Sequence, residues 1–320
     1  MITLRLATFL MLLAASATAA SDASEDIGGD LVVFHAGSLS APFDAIAKAF
    51  MQRHPEVRVL REAAGSRACA RKITDLGRPC DVFASADYAV IDTLLIPKHA
   101  AWNIRFARNE MAIVYTERSR RAAEITPENW MDILLDAEVA FGRADPDSDP
   151  CGYRAVLTMK LAEKYYQRPG LTEALLAKDQ RHIRPKETDL LALLETRTID
   201  YIFLYRSVAI QHGHRYLSLP AEVNLGKPEL EDLYRTVCVE ISGDAPGRKM
   251  TQCGEPMAYG VTIPVHAPNP AAALAFVKFL LEKEGGLAVM EAQGQPSMVP
   301  APCAGYDQLP EALKPYATHP

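Results

Sequence analysis

The sequence predicts an α/β protein of two lobes, each a parallel-rich sheet flanked by helices, with a ligand cleft between them. Three observations carry this. Apolar runs of strand length alternate with helical patterns along the whole chain. Its 320 residues are enough for two cores of ordinary size. No repeat and no low-complexity linker separates the halves, so the lobes are expected to be joined by crossing segments.

The N-terminus reads as a targeting segment rather than part of a lobe. Arg5 precedes the apolar run Leu6–Ala15, and Ala17-Thr18-Ala19 fits a small-x-small cleavage site. The run is too short to span a bilayer well, and no Cys stands at the cleavage point to take a lipid. Residues 1–20 are therefore expected to be a cleaved signal peptide, leaving an exported, periplasmic protein that is not embedded in a membrane.

Leu31-Val32-Val33-Phe34 is a continuous apolar run of the kind found in a buried parallel strand. The next segment places Phe43, Ile46, Ala47 and Phe50 on one helical face, with Pro42 near its first turn. Val57–Leu60 is a second strand, and Ala64-Gly65-Ser66 leads into a helix carrying Ile73 and Leu76. Asp81–Ala84 is a third strand, and Ser85-Ala86-Asp87 opens a helix with Ile91, Leu94 and Leu95 inward. Strands follow at Met111–Tyr115, Val139–Phe141 and Tyr201–Tyr205, with helices from Thr126 and Pro150 between them. Val237–Ile241 and Met257–Ile263 are late strands, and Ala271–Leu281 is a helix with Leu274, Val277 and Leu281 on one side. Crossings are expected near Val114–Thr116 and Tyr259–Val261. Lobe 1 then comprises 29–115 and 260–320, and lobe 2 is the insertion 116–259.

The net charge of -6 and the lack of any basic stretch argue against nucleic acid as a partner. Six cysteines in an oxidising compartment suggest disulfides. The sequence-local pairs are expected: Cys238 with Cys253 across a Gly-rich turn and Cys69 with Cys80, which leaves Cys151 with Cys303. No spacing of Cys or His fits a zinc site.

The strongest local signal is one device used three times: a strand ends in small residues and Ser, and a helix starts. It occurs at Gly37-Ser38, Gly65-Ser66 and Ala84-Ser85. In open α/β sheets ligands bind beyond the carboxyl ends of strands, where helix N-termini offer free N–H groups. Such turns suit an oxyanion, since glycine admits close backbone approach and each serine adds a hydroxyl donor. Ordinary helix capping is the alternative for any single one of these serines. Asp149 before Pro150 likewise fits a plain helix cap, while a calcium loop lacks its Gly and distal Glu there. The adjacent Tyr165-Tyr166 could serve a ferric-ion site or simple packing, and His35, His212 and His214 match no metal spacing.

Several motifs in order along the chain resemble the tungstate/molybdate-binding proteins of ABC importers. These are His35-Ala36-Gly37-Ser38-Leu39, Ala64-Gly65-Ser66, Arg71–Gly77, Ala84-Ser85-Ala86-Asp87-Tyr88 and Phe106–Glu110. Asp149-Pro150-Cys151-Gly152-Tyr153-Arg154, Tyr205–Ala209, Leu219–Gly226, Tyr259-Gly260 and Phe276–Leu281 continue the series. The likeness is to the archaeal-type, WtpA-like branch more than to the common bacterial molybdate-binding branch.

The resemblance implies a hinged, type II periplasmic-binding-protein fold and no enzymatic activity. It also implies capture by lobe closure and delivery to an ABC transporter permease, by a protein expected to be a monomer without a resident cofactor. Gly37, Ser38, Ser66, Ser85 and Tyr259 are the expected oxyanion ligands. Two carboxylates at the metal centre map to Asp149 and Glu222, the latter in Pro220-Ala221-Glu222-Val223-Asn224. Like charges beside a dianion repel, but tungsten(VI) and molybdenum(VI) accept hard oxygen ligands, so four oxo groups and two carboxylate oxygens make six-coordination. Cys80, Cys238, Cys253 and Cys303 depart from the family motif, and the segment between the Asp149 helix and Thr188 is shortened. The competing readings are a binder of sulfate or phosphate, a ferric-ion binder, and a secreted hydrolase with Ser38 as nucleophile. The last lacks a GxSxG elbow around Ser38.

Overall fold

The computed structural model describes residues 27–243 and 247–319. The expected signal peptide, 1–20, lies outside them.

The chain opens with β1 (Gly29–Ala36), α1 (Ser40–Arg53), β2 (Val57–Ala64), α2 (Ser66–Thr74), β3 (Val82–Ser85), α3 (Tyr88–Leu94) and β4 (Asn103–Arg108). It continues through β5 (Met111–Tyr115), α4 (Trp130–Leu135), β6 (Phe141–Ala144), α5 (Pro150–Tyr165), β7 (Ile183–Arg184), β8 (Tyr201–Tyr205) and β9 (Arg215–Ser218). A hairpin, β10 (Cys238–Ser242) and β11 (Lys249–Cys253), precedes β12 (Ala258–Thr262), β13 (Ala301–Ala304) and β14 (Ala317–Thr318).

The strands form two mixed sheets flanked by helices, plus the hairpin. The first sheet runs β14-β13-β4-β12-β3-β1-β2 and the second β7-β6-β8-β5-β9. The lobes built on them are joined where β4 leads into β5 and where the hairpin leads into β12. The outward crossing therefore comes earlier than expected. Met111–Tyr115, expected in lobe 1, pairs antiparallel with β8 and β9 in the second sheet. All five of its residues are buried, as suits an interior strand between two neighbours.

Register explains why the small-residue turns converge. β1 and β2 are parallel with Ala36 opposite Ala64, so Gly37 and Gly65 emerge side by side. β1 and β3 are parallel with His35 opposite Ala84, which brings Ser85 to the same edge. After β1 the chain goes to β2 on one side and then to β3 on the other, a switch point at the carboxyl end of β1. In lobe 2, β6 and β7 are parallel with Ala144 opposite Arg184, so loops 145–149 and 185–187 also leave the sheet at one level.

The cysteines match one expected pairing of three. Cys238 and Cys253 are bonded and face each other across β10 and β11. Cys69, Cys80, Cys151 and Cys303 are free, buried thiols, so the expected Cys69–Cys80 and Cys151–Cys303 bonds are absent. Each is held in its own packing. Cys69 Sγ lies 3.7 Å from the His35 carbonyl and Cys80 Sγ 3.2 Å from that of Val82. Cys151, at the start of α5, contacts the Phe203 carbonyl in lobe 2, whereas Cys303 sits on β13 of the first sheet.

Candidate functional site

The carboxyl ends of the two sheets face each other, and the lobes touch there. The Ala68 N–H at the start of α2 donates to the Ser148 carbonyl of lobe 2 at 3.2 Å. A Cβ on Gly65 would lie 2.4 Å from that same Ser148 oxygen and 3.0 Å from Asp149 Cβ. A Cβ on Gly37 would lie 2.7 and 2.9 Å from the two carboxylate oxygens of Glu187. Glycine at these two places is thus a requirement of interlobe approach rather than of backbone torsion.

Ser38 and Ser66 are fully buried and each keeps a hydroxyl proton to offer. Ser38 Oγ accepts from the Tyr259 hydroxyl at 3.1 Å, and Ser66 Oγ accepts from the Ala86 N–H at 3.0 Å. A hydroxyl that is accepting can still donate once. Tyr259 is held from the hinge side: its oxygen accepts from Asn109 Nδ2 at 2.7 Å and from Gln295 Nε2 at 3.2 Å. Burial, the main cause, raises its pKa, so the phenol stays protonated. His35, directly before the first turn, is buried with its pKa lowered to about 4, so it is neutral at pH 7. Its Nδ1 faces the Ala36 carbonyl at 2.8 Å.

Ser85 differs from the other two serines. Its hydroxyl donates to the Asp87 carbonyl at 2.6 Å and accepts from the Asp87 N–H at 3.1 Å. Its proton is committed to its own turn, and the helix cap expected as its alternative role falls to Asp87 instead.

Asp149 caps α5: Oδ1 accepts from the Cys151 N–H at 2.8 Å, and Oδ2 accepts from the Glu187 N–H at 3.0 Å. That second bond joins the two loops leaving β6 and β7 and sets two carboxylates side by side. Glu187 is fully buried, and its carboxyl lies against the Asp149 carboxyl and the Ser38 backbone, though neither of its oxygens meets a donor at full hydrogen-bond geometry among the described residues. Burial raises the Glu187 pKa well above the carboxylate range, and the Asp149 charge raises it further. Asp149 is also raised, chiefly by burial. The pair therefore holds on to a proton that free carboxylates would release.

Glu222 does not belong to this cluster. It lies half-buried in the first turn of the short helix Ala221–Asn224, where Val223 and Asn224 turn inward. Its charge is felt by Tyr234, together with those of Glu110 and Glu229. Among the described residues the carboxylate found beside Asp149 is that of Glu187, and no contact joins Glu222 to the pair. In the sequence Lys186-Glu187-Thr188 reads as a polar lead into a helix, and no local pattern marks Glu187 as a ligand. Tyr165 and Tyr166 sit at the far end of α5 from Asp149, and the Tyr166 hydroxyl donates to the Pro127 carbonyl.

The site is a buried cluster of serine hydroxyls, helix-start backbone and two carboxylates, contributed by both lobes, and no histidine among the described residues hydrogen-bonds Ser38. The model of the bacterial extracellular solute-binding protein family matches residues 31–294. The chain belongs to that family. An uncharacterized solute-binding protein of Petrotoga mobilis is 50% identical over 292 residues, covering 91% of each chain. The molybdate/tungstate-binding protein WtpA of Pyrococcus abyssi is 38% identical over 311 residues, 89% of this chain and 88% of that one.

Solved structures share the fold at low identity. The periplasmic molybdate-binding protein of Azotobacter vinelandii superposes with a TM-score of 0.62 at 16% identity, over 83% of this chain and 98% of that one. The sulfate-binding protein SubI of Mycobacterium tuberculosis gives 0.56 at 13%, over 84% and 87%. The same fold occurs in proteins named for different oxyanions, so the fold alone does not name a solute.

Proposed function

We propose that this chain captures tungstate or molybdate between its lobes, outside the cytoplasm, and delivers it to the permease of an ABC importer. Ser38, Ser66 and the amides of their turns bind oxo groups, and Asp149 and Glu187 each supply one oxygen to the metal. Four oxo groups and two carboxylate oxygens complete six-coordination.

The observation that carries this reading is the Glu187 carboxylate. A buried carboxylate met by no donor at full hydrogen-bond geometry, and pressed against a second carboxylate, is costly unless something else takes its oxygens. Sulfate or phosphate does not, since neither accepts further oxygen ligands readily, and two carboxylates repel it. A hexavalent tungsten or molybdenum centre does. Asp149 lies in lobe 2 and Ser38 and Ser66 in lobe 1, so a bound anion bridges the lobes and favours the closed arrangement. The name of the Pyrococcus abyssi relative supports the same solute class.

The test is calorimetric titration of purified, ligand-stripped protein with tungstate, molybdate, sulfate and phosphate, joined to X-ray absorption at the tungsten edge. Tight one-to-one binding of the first two alone, with six oxygen neighbours at tungsten, is expected. Comparable binding of sulfate or phosphate, or four-coordinate bound tungstate, would reject the carboxylate-ligated site.

A further inference from the structure

A second interlobe feature lies beside the pocket, in a cluster the proposed chemistry does not use. Asp87 caps α3 in lobe 1, its Oδ1 accepting from the Ala89 N–H at 3.0 Å. Its other oxygen turns to lobe 2. There Oδ2 accepts from the Tyr153 hydroxyl and lies 3.3 Å from Arg154 Nη2, both on α5. Arg154 Nη1 donates to the Ala86 carbonyl of lobe 1 at 2.6 Å and to the Tyr205 hydroxyl at 3.1 Å. Asp87, Tyr153 and Arg154 are 3%, 1% and 3% exposed. Burial, the largest single influence, lowers the Arg154 pKa, but Asp87 together with Tyr205 and Tyr153 outweighs it, and the guanidinium stays charged.

We infer that Asp87, Tyr153 and Arg154 form an interlobe clasp that sets how long the pocket retains its anion. Their polar atoms are committed to one another across the cleft. Two connections join the clasp to the pocket. Ala86 donates its N–H to Ser66 Oγ and offers its carbonyl to Arg154. Asp149 and Arg154 lie in successive turns of one helix start, so Arg154 fixes α5, and with it the Asp149 carboxylate, against the Ser66 turn. Arg154 is thus a positioning residue. The inference rests on the reading that the cleft closes on an oxyanion.

The energetics give the clasp a distinct signature. When the lobes part, Asp87 and Arg154 each return to water, and the intact pair contributes little net free energy. Removing one partner strands the other, buried and unpaired, but only in the closed state. Single variants should therefore weaken binding while the fold persists. The loss should fall on dissociation, because the clasp forms after capture.

The experiment is a double-mutant cycle with Asp87→Asn, which keeps the helix cap, and Arg154→Gln, read by tungstate titration and by association and dissociation rates. Each single variant is expected to bind on the order of 10²- to 10³-fold more weakly, almost wholly through faster release. The double variant should lose far less than the product of the two. Unchanged affinity in the singles, additive losses in the double, or losses confined to association would overturn the clasp. A native protein that binds neither tungstate nor molybdate would fail the proposed function. That outcome would overturn the clasp as well, since the clasp acts only on a captured anion.

Discussion

Replacing Glu187 by Gln should move affinity and stability in opposite directions. The substitution keeps the volume and removes one buried carboxyl of a pair in which both pKa values are raised, chiefly by burial. Truncating one partner of a buried, charged interaction costs about 2–5 kcal/mol. At 1.4 kcal/mol per decade that is about 30- to 4,000-fold in the dissociation constant for tungstate. Glu222→Ala, by contrast, alters a half-buried side chain outside the cluster, and a change within about ±0.5 kcal/mol keeps affinity within about threefold.

Stability without ligand should rise. The folded pKa of Glu187 lies above its unfolded value, so the folded chain holds a proton the unfolded chain has released. That contribution to native stability is fully present below the ordinary glutamate value of 4.5 and is lost as pH rises through the raised folded value. The neutral amide of Glu187→Gln has nothing to lose over that window. The variant's advantage is therefore absent at acid pH and grows above pH 4.5. A gain of about 0.5–2 kcal/mol at pH 7 is typical of relieving a functional strain, and each kcal/mol raises Tm by about 2–4 °C in chains of this order of size. Titration calorimetry and melting curves at pH 5 and pH 8 measure both. Native affinity in Glu187→Gln with a large loss in Glu222→Ala would refute the assignment. So would a variant whose Tm falls at pH 8.

Four further outcomes are expected. Tungstate binding should release protons and tighten as pH rises, since metal ligation needs both Asp149 and Glu187 ionised; titrations in buffers of different ionisation enthalpy measure this, and proton uptake would contradict it. Gly65→Ala should weaken tungstate binding about 5- to 150-fold with little change in ligand-free stability, because its Cβ meets Ser148 of the opposite lobe, and an unaltered affinity would show that the lobes need not come so close. Ser38→Ala should lose about 10- to 150-fold, the worth of a hydrogen bond to a charged group, while Ser85→Ala stays within about threefold because its hydroxyl serves its own turn. Alkylation of the unfolded chain should label the four thiols Cys69, Cys80, Cys151 and Cys303 without reductant and add Cys238 and Cys253 only with it; more than one protected pair would contradict the cysteine assignment.

Much of the fold was legible because local pattern and global fold agree. The run Leu31–Phe34 is nearly all buried, as a parallel strand covered by helices on both faces must be, and the face Phe43, Ile46, Ala47 and Phe50 is buried along α1. The crossing was misplaced because Met111–Tyr115 is apolar throughout, and such a strand reads the same in either sheet. Only its hydrogen-bond partners, β8 and β9, assign it. The cysteines fail for a related reason. Cys238 and Cys253 are brought together by a hairpin visible in the sequence, whereas nearness along the chain says nothing about Cys69 and Cys80, whose sulfurs face separate backbone carbonyls.

The site shows the same division between what a turn dictates and what register dictates. Ser38 and Ser66 belong to turns whose strand-Gly-Ser-helix pattern states their chemistry locally. Ser85 carries nearly the same pattern but follows Ala84, not Gly, and its hydroxyl closes on Asp87. Asp149 announces itself as a cap before Pro150, and its second role becomes visible only when the Glu187 N–H arrives at its free oxygen. Nothing near Glu187 in the sequence requires a carboxylate there. Its position follows from the parallel pairing of β6 with β7, which levels residue 144 with residue 184 and leaves the two acidic side chains at one height on the cleft wall. Glu222, the carboxylate that motif order favoured, sits on a short helix with no such pairing to carry it to the pocket. A second acidic ligand in a fold of this kind is therefore better sought among residues just past the strand that neighbours the first ligand's strand than by its spacing along the chain.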